Sequence, residues 1–265
     1  MELFSVANFN TVSSTNDLVK KALRAHGNEG YVCRARKQTA GYGRRGRYWT
    51  SPEGGLYQAV LLRPKGPVSN YPTLGLVMAL AIRASLVRLA AVPDDTVLVK
   101  WPNDLMVGDG KIGGISMEAT GGGLCIGMGV NVFRPPSTAD LITDAKFQPA
   151  YFSDMAVGFT GLGEISFGNG YVFSTQYDAI AAVGDAILSA FEQCYSVWQA
   201  NGFDPFMREY QSCNYLQGKL VRMQTLNGEV ITEGTVVGVD DKTACLMVDD
   251  GVRVQVVNSG EAILL

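Results

Sequence analysis

Cysteine is scarce and scattered in this chain. Cys33, Cys125, Cys194, Cys213 and Cys245 form no C-x-x-C pair. Their odd number and wide spacing exclude a disulfide framework or a zinc ribbon. Charge is sparse too: 18% of residues are charged and the net charge is −3. Nothing global attracts nucleic acid or an anionic membrane, so any basic site must be local. The opening "MELFSVANFN" lacks the basic start and apolar run of a secretory signal. An uninterrupted apolar run long enough for a membrane is missing as well. The nearest stretch, Leu74 to Val92, is broken by Arg83 and Arg88, which would be expensive in lipid. It reads as a buried helix whose arginines emerge on one side. Together these absences point to a soluble protein of a reducing, cytoplasmic compartment, with no membrane partner.

What is present is a globular composition, 47% hydrophobic, in 265 residues, enough for one large domain with a small one. "SSTNDLVKKALRAHG" has the marks of a capped helix, with Ser13 or Ser14 as N-cap and Gly27 as the stop. "YVCRARKQ" alternates as a half-buried strand, and "LYQAVLLR", "TVLVK", "DLMV", "KIGGISMEAT" and "LCIGMGVNV" supply further strands. Helical periodicity returns in "YDAIAAVGDAILSAFEQCYSVWQA" and "DPFMREYQS". Hairpin signals between strands favour an α+β fold, a mixed sheet flanked by helices, over a doubly wound parallel sheet. Residues 133–174 are rich in Gly, Pro and Ser with weak periodicity, and read as an insertion, a partly ordered lid, or both. From about Leu216 the pattern is all-β, with hairpin turns at Asn227-Gly228 and Asp250-Gly251. The expected organisation is a catalytic domain over 1–215 and a small SH3-like β-barrel over 216–265.

The most suggestive motif misleads at first. "GYGRRG", from Gly41 to Gly46, spells the G-x-G-x-x-G of dinucleotide-binding folds. That fingerprint needs a helix opening directly after the glycines, whereas here Pro52 and Gly54-Gly55 follow. The acidic residue expected about 20 positions on is absent, and no G-x-x-x-x-G-K-[ST] occurs. What remains is a basic loop: Arg34, Arg36, Lys37, Arg44, Arg45 and Arg47 lie between Cys33 and Thr50 with no acid among them. Glycine backbone and guanidinium forks can clamp phosphate or carboxylate. A solvated basic loop is an equally weighted reading of this stretch taken alone.

A second constellation is "VKWPNDLMVGDGKIGGISME". It places Lys100, Trp101, Asn103 and Asp104 at the end of one strand and Lys111 at the start of its return. Across that hairpin Asp104 and Lys111 can approach each other. Gly113-Gly114, and Gly127 and Gly129 in "IGMGVN", leave side-chain-free positions where a ligand could pack, although a close strand crossing explains either glycine set by itself.

Taken in chain order, "SSTND", "KQTAGYGRRGRYWTSPEGGLY", "KWPNDLMVGDGKIGGISME" and "IGMGVNV" closely resemble the biotin protein ligases, the holocarboxylase synthetase family. The resemblance spans nearly the whole chain except 133–174, and its specificity lies in four motifs in family order. It implies a class II synthetase-like catalytic fold with an SH3-like C-terminal domain. The implied reaction has two steps. Biotin and Mg·ATP give biotinyl-5′-AMP and pyrophosphate, and a lysine of a biotin carboxyl carrier protein then takes the acyl group. The carboxylate is already ionised, so no strong base is required, and the single histidine, His26, is not needed.

By matching position, Ser14, Thr15, Asn16 and Gln38 would hydrogen-bond the biotin head, and Gly41, Tyr42, Gly43 and Arg44 would wrap the ligand. Gly127 and Gly129 would line its pocket. Lys111 would hold the carboxylate and then the acyl-phosphate oxygens. Arg44 and Arg47 would clamp phosphate and Trp49 would pack on adenine. Asn103 and Asp104 would serve the metal, the phosphates or the incoming lysine. Lys111 and Arg44 are the expected catalytic pair, and no residue is assigned as a dedicated metal ligand. Tyr42 stands where many members have arginine, and the C-terminal "GEAILL" lacks the arginine that reaches the adenylate in many bacterial members. The first motif begins at Ser13, so no DNA-reading domain and no operator binding are expected, whereas a homodimer through an edge strand is compatible with the pattern. Lipoate or octanoate ligases share the fold, and a non-catalytic biotin-binding protein is the rival from another class.

Overall fold

Short turns between strands force antiparallel neighbours, and they dominate the centre of this fold. The computed structural model describes residues 3–135, 147–159, 164–225 and 227–265. Its elements begin with β1 (Ser5–Val12), α1 (Thr15–Arg24), β2 (Tyr31–Gln38), β3 (Gly55–Leu62) and α2 (Tyr71–Ala90). The hairpins β4 (Leu98–Lys100), β5 (Asp104–Val107), β6 (Gly110–Thr120) and β7 (Gly123–Asn131) follow. Next come α3 (Ser153–Ala156), β8 (Val157–Phe159), β9 (Ile165–Phe167), β10 (Val172–Phe173), α4 (Gln176–Asn201) and α5 (Met207–Cys213). The chain ends in β11 (Leu220–Gln224), β12 (Val230–Val239), β13 (Leu246–Asp249), β14 (Val254–Val257) and β15 (Glu261–Leu264).

Seven strands form one mixed sheet in the order β1-β2-β3-β7-β6-β5-β4. Only β1 and β2 are parallel, with α1 as their crossover; every other pair is antiparallel. Helix α1 covers one face of the sheet, where Val19 and Leu23 pack on Cys33, Ala59, Leu61 and Cys125. Helices α2 and α4 cover the other, in a core that includes Leu76, Leu80, Val183, Ile187 and Phe191. The expected α+β class with a mixed sheet is therefore what the chain adopts.

Four details depart from the sequence reading. Strand β1 carries no recognisable alternation because it is an edge strand with mostly exposed residues. Helix α1 ends in a left-handed residue at His26 (φ 57°), and Gly27 contributes only its N–H, to Ala22 O at 2.8 Å. Of residues 133–174, positions 136–146 and 160–163 lie outside the described residues. The rest includes the small antiparallel sheet β8-β9-β10, whose Ile165 and Phe167 join the main core with Phe152. The C-terminal strands form a five-stranded antiparallel sheet, β14-β13-β12-β11-β15, with turns at the expected Asn-Gly and Asp-Gly sites.

The fourth departure concerns α2. This helix has the length and hydropathy of a membrane span, but most of it is buried between the sheet and α4. Arg88 is exposed as expected, whereas Arg83 is buried (7% exposed) and does not emerge. Its Nε donates to Val97 O at 3.0 Å, Nη2 donates to Asp94 O, and Nη1 lies 3.7 Å from Glu209 Oε1. A buried guanidinium is tolerable when its donors meet acceptors, and these bonds fasten the connection from α2 to β4. Arg83→Ala leaves those carbonyls unpaired and should destabilise by about 3 kcal/mol. Arg88→Ala should stay within about 0.5 kcal/mol. Urea unfolding reads both as midpoint shifts at constant slope.

Candidate active site

The site lies on the α1 face of the sheet, just beyond the helix N-terminus. There Gly127 pairs across the ladder with Ala59 and Ser116, and Gly129 with Tyr57 and Gly114. Three glycines on adjoining strands make a floor without side chains. At Gly127 a Cβ would collide with Asn16 Oδ1, and at Gly129 with the Trp49 indole. The space above both glycines is thus held by the chain's own side chains.

One end of the floor is neutral and densely hydrogen-bonded. Ser14 occupies the N-cap position of α1 without a side-chain cap bond. Thr15 donates its N–H (2.8 Å) and hydroxyl (3.0 Å) to Gln38 Oε1. Gln38 Nε2 donates to Ser51 Oγ at 2.9 Å, and Ser51 donates to Trp49 O at 2.8 Å. Asn16 Nδ2 donates to Ser116 Oγ at 2.8 Å. All five of Thr15, Asn16, Gln38, Ser51 and Ser116 are buried, so these bonds stand in for the hydration that an exposed polar group would have.

The other end is charged. Lys111 Nζ lies 2.6 Å from Asp104 Oδ1, with both side chains about four-fifths buried. The pair is close but misaligned for a hydrogen bond, so that oxygen has no directed donor. Lys111 Nζ also sits 5.1 Å above the Trp49 ring, an attractive cation–π arrangement. The indole Nε1–H is buried and has no partner among the described residues. Arg44 Nη1 donates to Asn103 Oδ1 at 3.0 Å, while Asn103 Nδ2 donates to Ile115 O at 2.8 Å. Burial, then the neighbouring Arg45 charge, lowers the Arg44 pKa, but a guanidinium remains cationic at neutral pH. Beside this end, Lys111 bridges Pro149 in parallel, with Lys111 N–H donating to Gln148 O at 2.8 Å. The segment after residue 146 thus forms a wall of the site.

The arginine loop is a small hairpin over the floor. Tyr42 bridges Tyr48, Gly43 N–H donates to Arg47 O at 2.8 Å, and Trp49 N–H donates to Gly41 O at 2.9 Å. Arg45 at its tip is left-handed (φ 59°), an uncommon conformation for a non-glycine residue. Tyr42 Oη shares its proton between Asp17 Oδ1 (2.9 Å) and Glu118 Oε1 (3.1 Å). Lys20 Nζ closes that group, 2.8 Å from Glu118 and 3.2 Å from Asp17. Burial first, with both carboxylates outweighing Lys20, pushes the Tyr42 phenol up to about 12. It stays a donor at any physiological pH. For Lys20, burial acts downward, but hydrogen bonds to Glu118, Tyr42 and Asp17 win and raise its pKa.

The expected residues therefore fall into two groups on one floor: Thr15, Asn16, Gln38 and Gly127 at one end, and Arg44, Trp49, Asn103, Asp104, Lys111 and Gly129 at the other. Gly41 and Gly43 use their backbone within the hairpin. Arg47 does not join, because its guanidinium pairs with Glu261 on β15. Trp101 is a structural tie whose Nε1–H donates to Ala244 O at 2.8 Å. Ser51, Ser116 and the Asp17–Lys20–Glu118 group escape sequence reading; their signal was a polar residue inside an otherwise apolar or helical pattern. Among the described residues no cluster of three His, Cys, Asp or Glu could hold a metal. A cavity of about 730 Å³ lies elsewhere, lined by Arg83, Arg88, Asp94 and Glu209, where Arg83 is already paired with Asp94 and Glu209.

The Tyr42 tie has a direct consequence. Tyr42→Phe removes the loop's bond to α1 and β6 but little of the core. Trypsin cleavage after Arg44, Arg45 and Arg47 should accelerate about tenfold, with the thermal midpoint nearly unchanged. Equal cleavage rates would mean the tie contributes nothing to loop order.

Comparison with known proteins agrees with this arrangement. Residues 9–132 match the Biotin/lipoate A/B protein ligase family. The bifunctional ligase/repressor BirA of Bacillus subtilis is 30% identical over 249 residues, covering 91% of this chain and 69% of that protein. A biotin--[acetyl-CoA-carboxylase] ligase of Paracoccus denitrificans is 40% identical over 107 residues, 38% of this chain and 44% of that protein. The structure of biotin protein ligase from Aquifex aeolicus in complex with biotin and ATP superposes with a TM-score of 0.77. It covers 98% of both chains at 23% identity, a likeness of fold. With 30% identity to the Bacillus subtilis ligase/repressor over nine-tenths of its own length, the chain belongs to the biotin protein ligase family.

Proposed function

We propose that this chain joins biotin to ATP as biotinyl-5′-AMP, and then transfers the biotinyl group to a lysine of a biotin carboxyl carrier protein in the cytoplasm. One observation carries the reading: the Lys111–Asp104 pair and Arg44 stand at one end of a glycine floor whose other end is neutral and hydrogen-bonding. A bicyclic urea head suits the neutral end, and a carboxylate with phosphates suits the cationic one.

In the first step a biotin carboxylate oxygen attacks the α-phosphorus, and the bond to the β-phosphate oxygen breaks as pyrophosphate leaves. Both reactants are anions, so the barrier falls when cations hold them in line. In this reading Lys111 meets the carboxylate and Arg44 the phosphate. Asn103 has both amide ends engaged, with Arg44 and with Ile115 O, so its role is to hold Arg44. Magnesium enters as the Mg·ATP substrate complex, and Asp104 is the carboxylate at that end. In the second step the carrier lysine, as a free amine, attacks the acyl carbon and AMP leaves. Asp104 is the base beside Lys111 that can take the surplus proton. The unpartnered Trp49 Nε1–H and its ring offer a surface for adenine. Cysteine plays no part: burial pushes the Cys33 thiol up to about 12 and raises that of Cys125.

The test is pyrophosphate release from Mg·ATP with biotin, lipoate or octanoate in parallel. Release with biotin alone is expected. Release with lipoate or octanoate alone would overturn the substrate, and silence with measurable biotin binding would overturn catalysis. Lys111→Ala should lower the rate of adenylate formation about 10²–10³-fold while weakening biotin binding less than about tenfold. Equal losses in both would make Lys111 a binding residue only.

A further inference from the structure

Asn16 sits 4% exposed at the neutral end of the floor, and how its amide is turned decides what that end recognises. A carboxamide presents an acceptor on one side and donors on the other, and its two orientations occupy nearly the same volume. Here Nδ2 donates to Ser116 Oγ at 2.8 Å. That bond turns the donors toward the sheet and leaves Oδ1 directed over Gly127, where the missing Cβ gives it room. Oδ1 accepts no hydrogen bond among the described residues. The neighbouring acceptor, Gln38 Oε1, is already filled twice by Thr15.

We propose that Ser116 is a specificity-positioning residue. Its hydroxyl fixes the Asn16 amide so that the neutral end offers a bare acceptor, and so selects acids whose far end carries an N–H donor. The proposal rests on the biotin reading above and deepens it, since a cyclic urea supplies such a donor whereas a dithiolane or alkyl end does not. A pocket built to hydrogen-bond a donor discriminates strongly against ligands lacking it, because the buried acceptor is then left unpaired. Ser116 lies within β6, hydrogen-bonded to β7 on the side of Gly127, so its backbone does not depend on its side chain.

A double-mutant cycle on Ser116 and Asn16 tests this, with pyrophosphate release followed against both biotin and ATP. Ser116→Ala should raise KM for biotin about tenfold, with kcat and KM for ATP within about twofold. Ser116→Thr, which keeps the hydroxyl, should recover most of the loss. In an Asn16→Ala background, Ser116→Ala should add nothing further. An equal fold-loss in both backgrounds, or a loss shared equally by the biotin and ATP constants, would overturn the proposal. Ser116→Cys, which keeps the volume and loses the strong acceptor, reads the same contrast if the alanine variant is unstable. Silence of the wild-type protein with biotin would instead refute the substrate reading.

Discussion

One extra residue in β6 places Lys111 beside Asp104 on the α1 face of the sheet. Residues 114, 116 and 118 of that strand face α1 and the loop, and by simple alternation residue 111 would face α2. Opposite Leu105 and Met106, however, the register shifts: Leu105 pairs with Gly113 and Met106 with Lys111, so Ile112 is the surplus residue. A bulge of this kind reverses the parity of everything before it. Ile112 goes into the core, and Lys111 comes round beside Gly114 and Asp104 on the same face as Ser116 and Glu118. Without the shift the ammonium would point into the α2 core, where an unpaired charge is untenable.

From that placement the polarity of the site follows. Strand β6 delivers a cation at its start, an uncharged hydroxyl at Ser116 and a carboxylate at Glu118, spaced along one face. The glycines of β7 run beside them and keep the floor flat. The loop over the floor is tied to three separate parts of the chain. Tyr42 reaches Glu118 and α1, Arg44 reaches Asn103 in the turn before β5, and Arg47 reaches Glu261 in the C-terminal sheet. That sheet is held in turn by the Trp101–Ala244 bond and by Val221, Met223 and Leu246, which share the core of the main sheet.

Much of this was legible because its causes are local. Asn227-Gly228 and Asp250-Gly251 fix two-stranded turns whatever surrounds them, and the G-D-G between β5 and β6 set Asp104 and Lys111 on paired strands. The illegible parts depend on distant neighbours. Arg83 looks like a surface residue until carbonyls of Val97 and Asp94, and Glu209 on another helix, are brought to it. Strand β1 has no buried stripe to announce it, since its partners are a parallel neighbour and an open edge. The space above Gly127 and Gly129 could be read as room for a ligand or for a close crossing. The crossing side chains turn out to be Asn16 and Trp49, both from the recognised motifs. The parity change at Ile112 left no mark at all, because a bulge is a relation between two strands.

Arg47 and Arg44 are held very differently. The Arg47 side chain is 59% exposed and its pair with Glu261 is a surface ion pair, worth about 0–1 kcal/mol. The Glu261 side chain is only 17% exposed, so the pair joins an exposed guanidinium to a half-buried carboxylate at the rim of the site. Arg44 is mostly buried, and its bond to Asn103 is backed by Asn103's own bond to Ile115 O. Moving it would leave a half-buried amide oxygen without that donor. The loop thus combines a cation held on Asn103 with an exposed one at the rim. Glu261 lies on β15, the last strand. The C-terminal sheet therefore meets the arginine loop through Glu261.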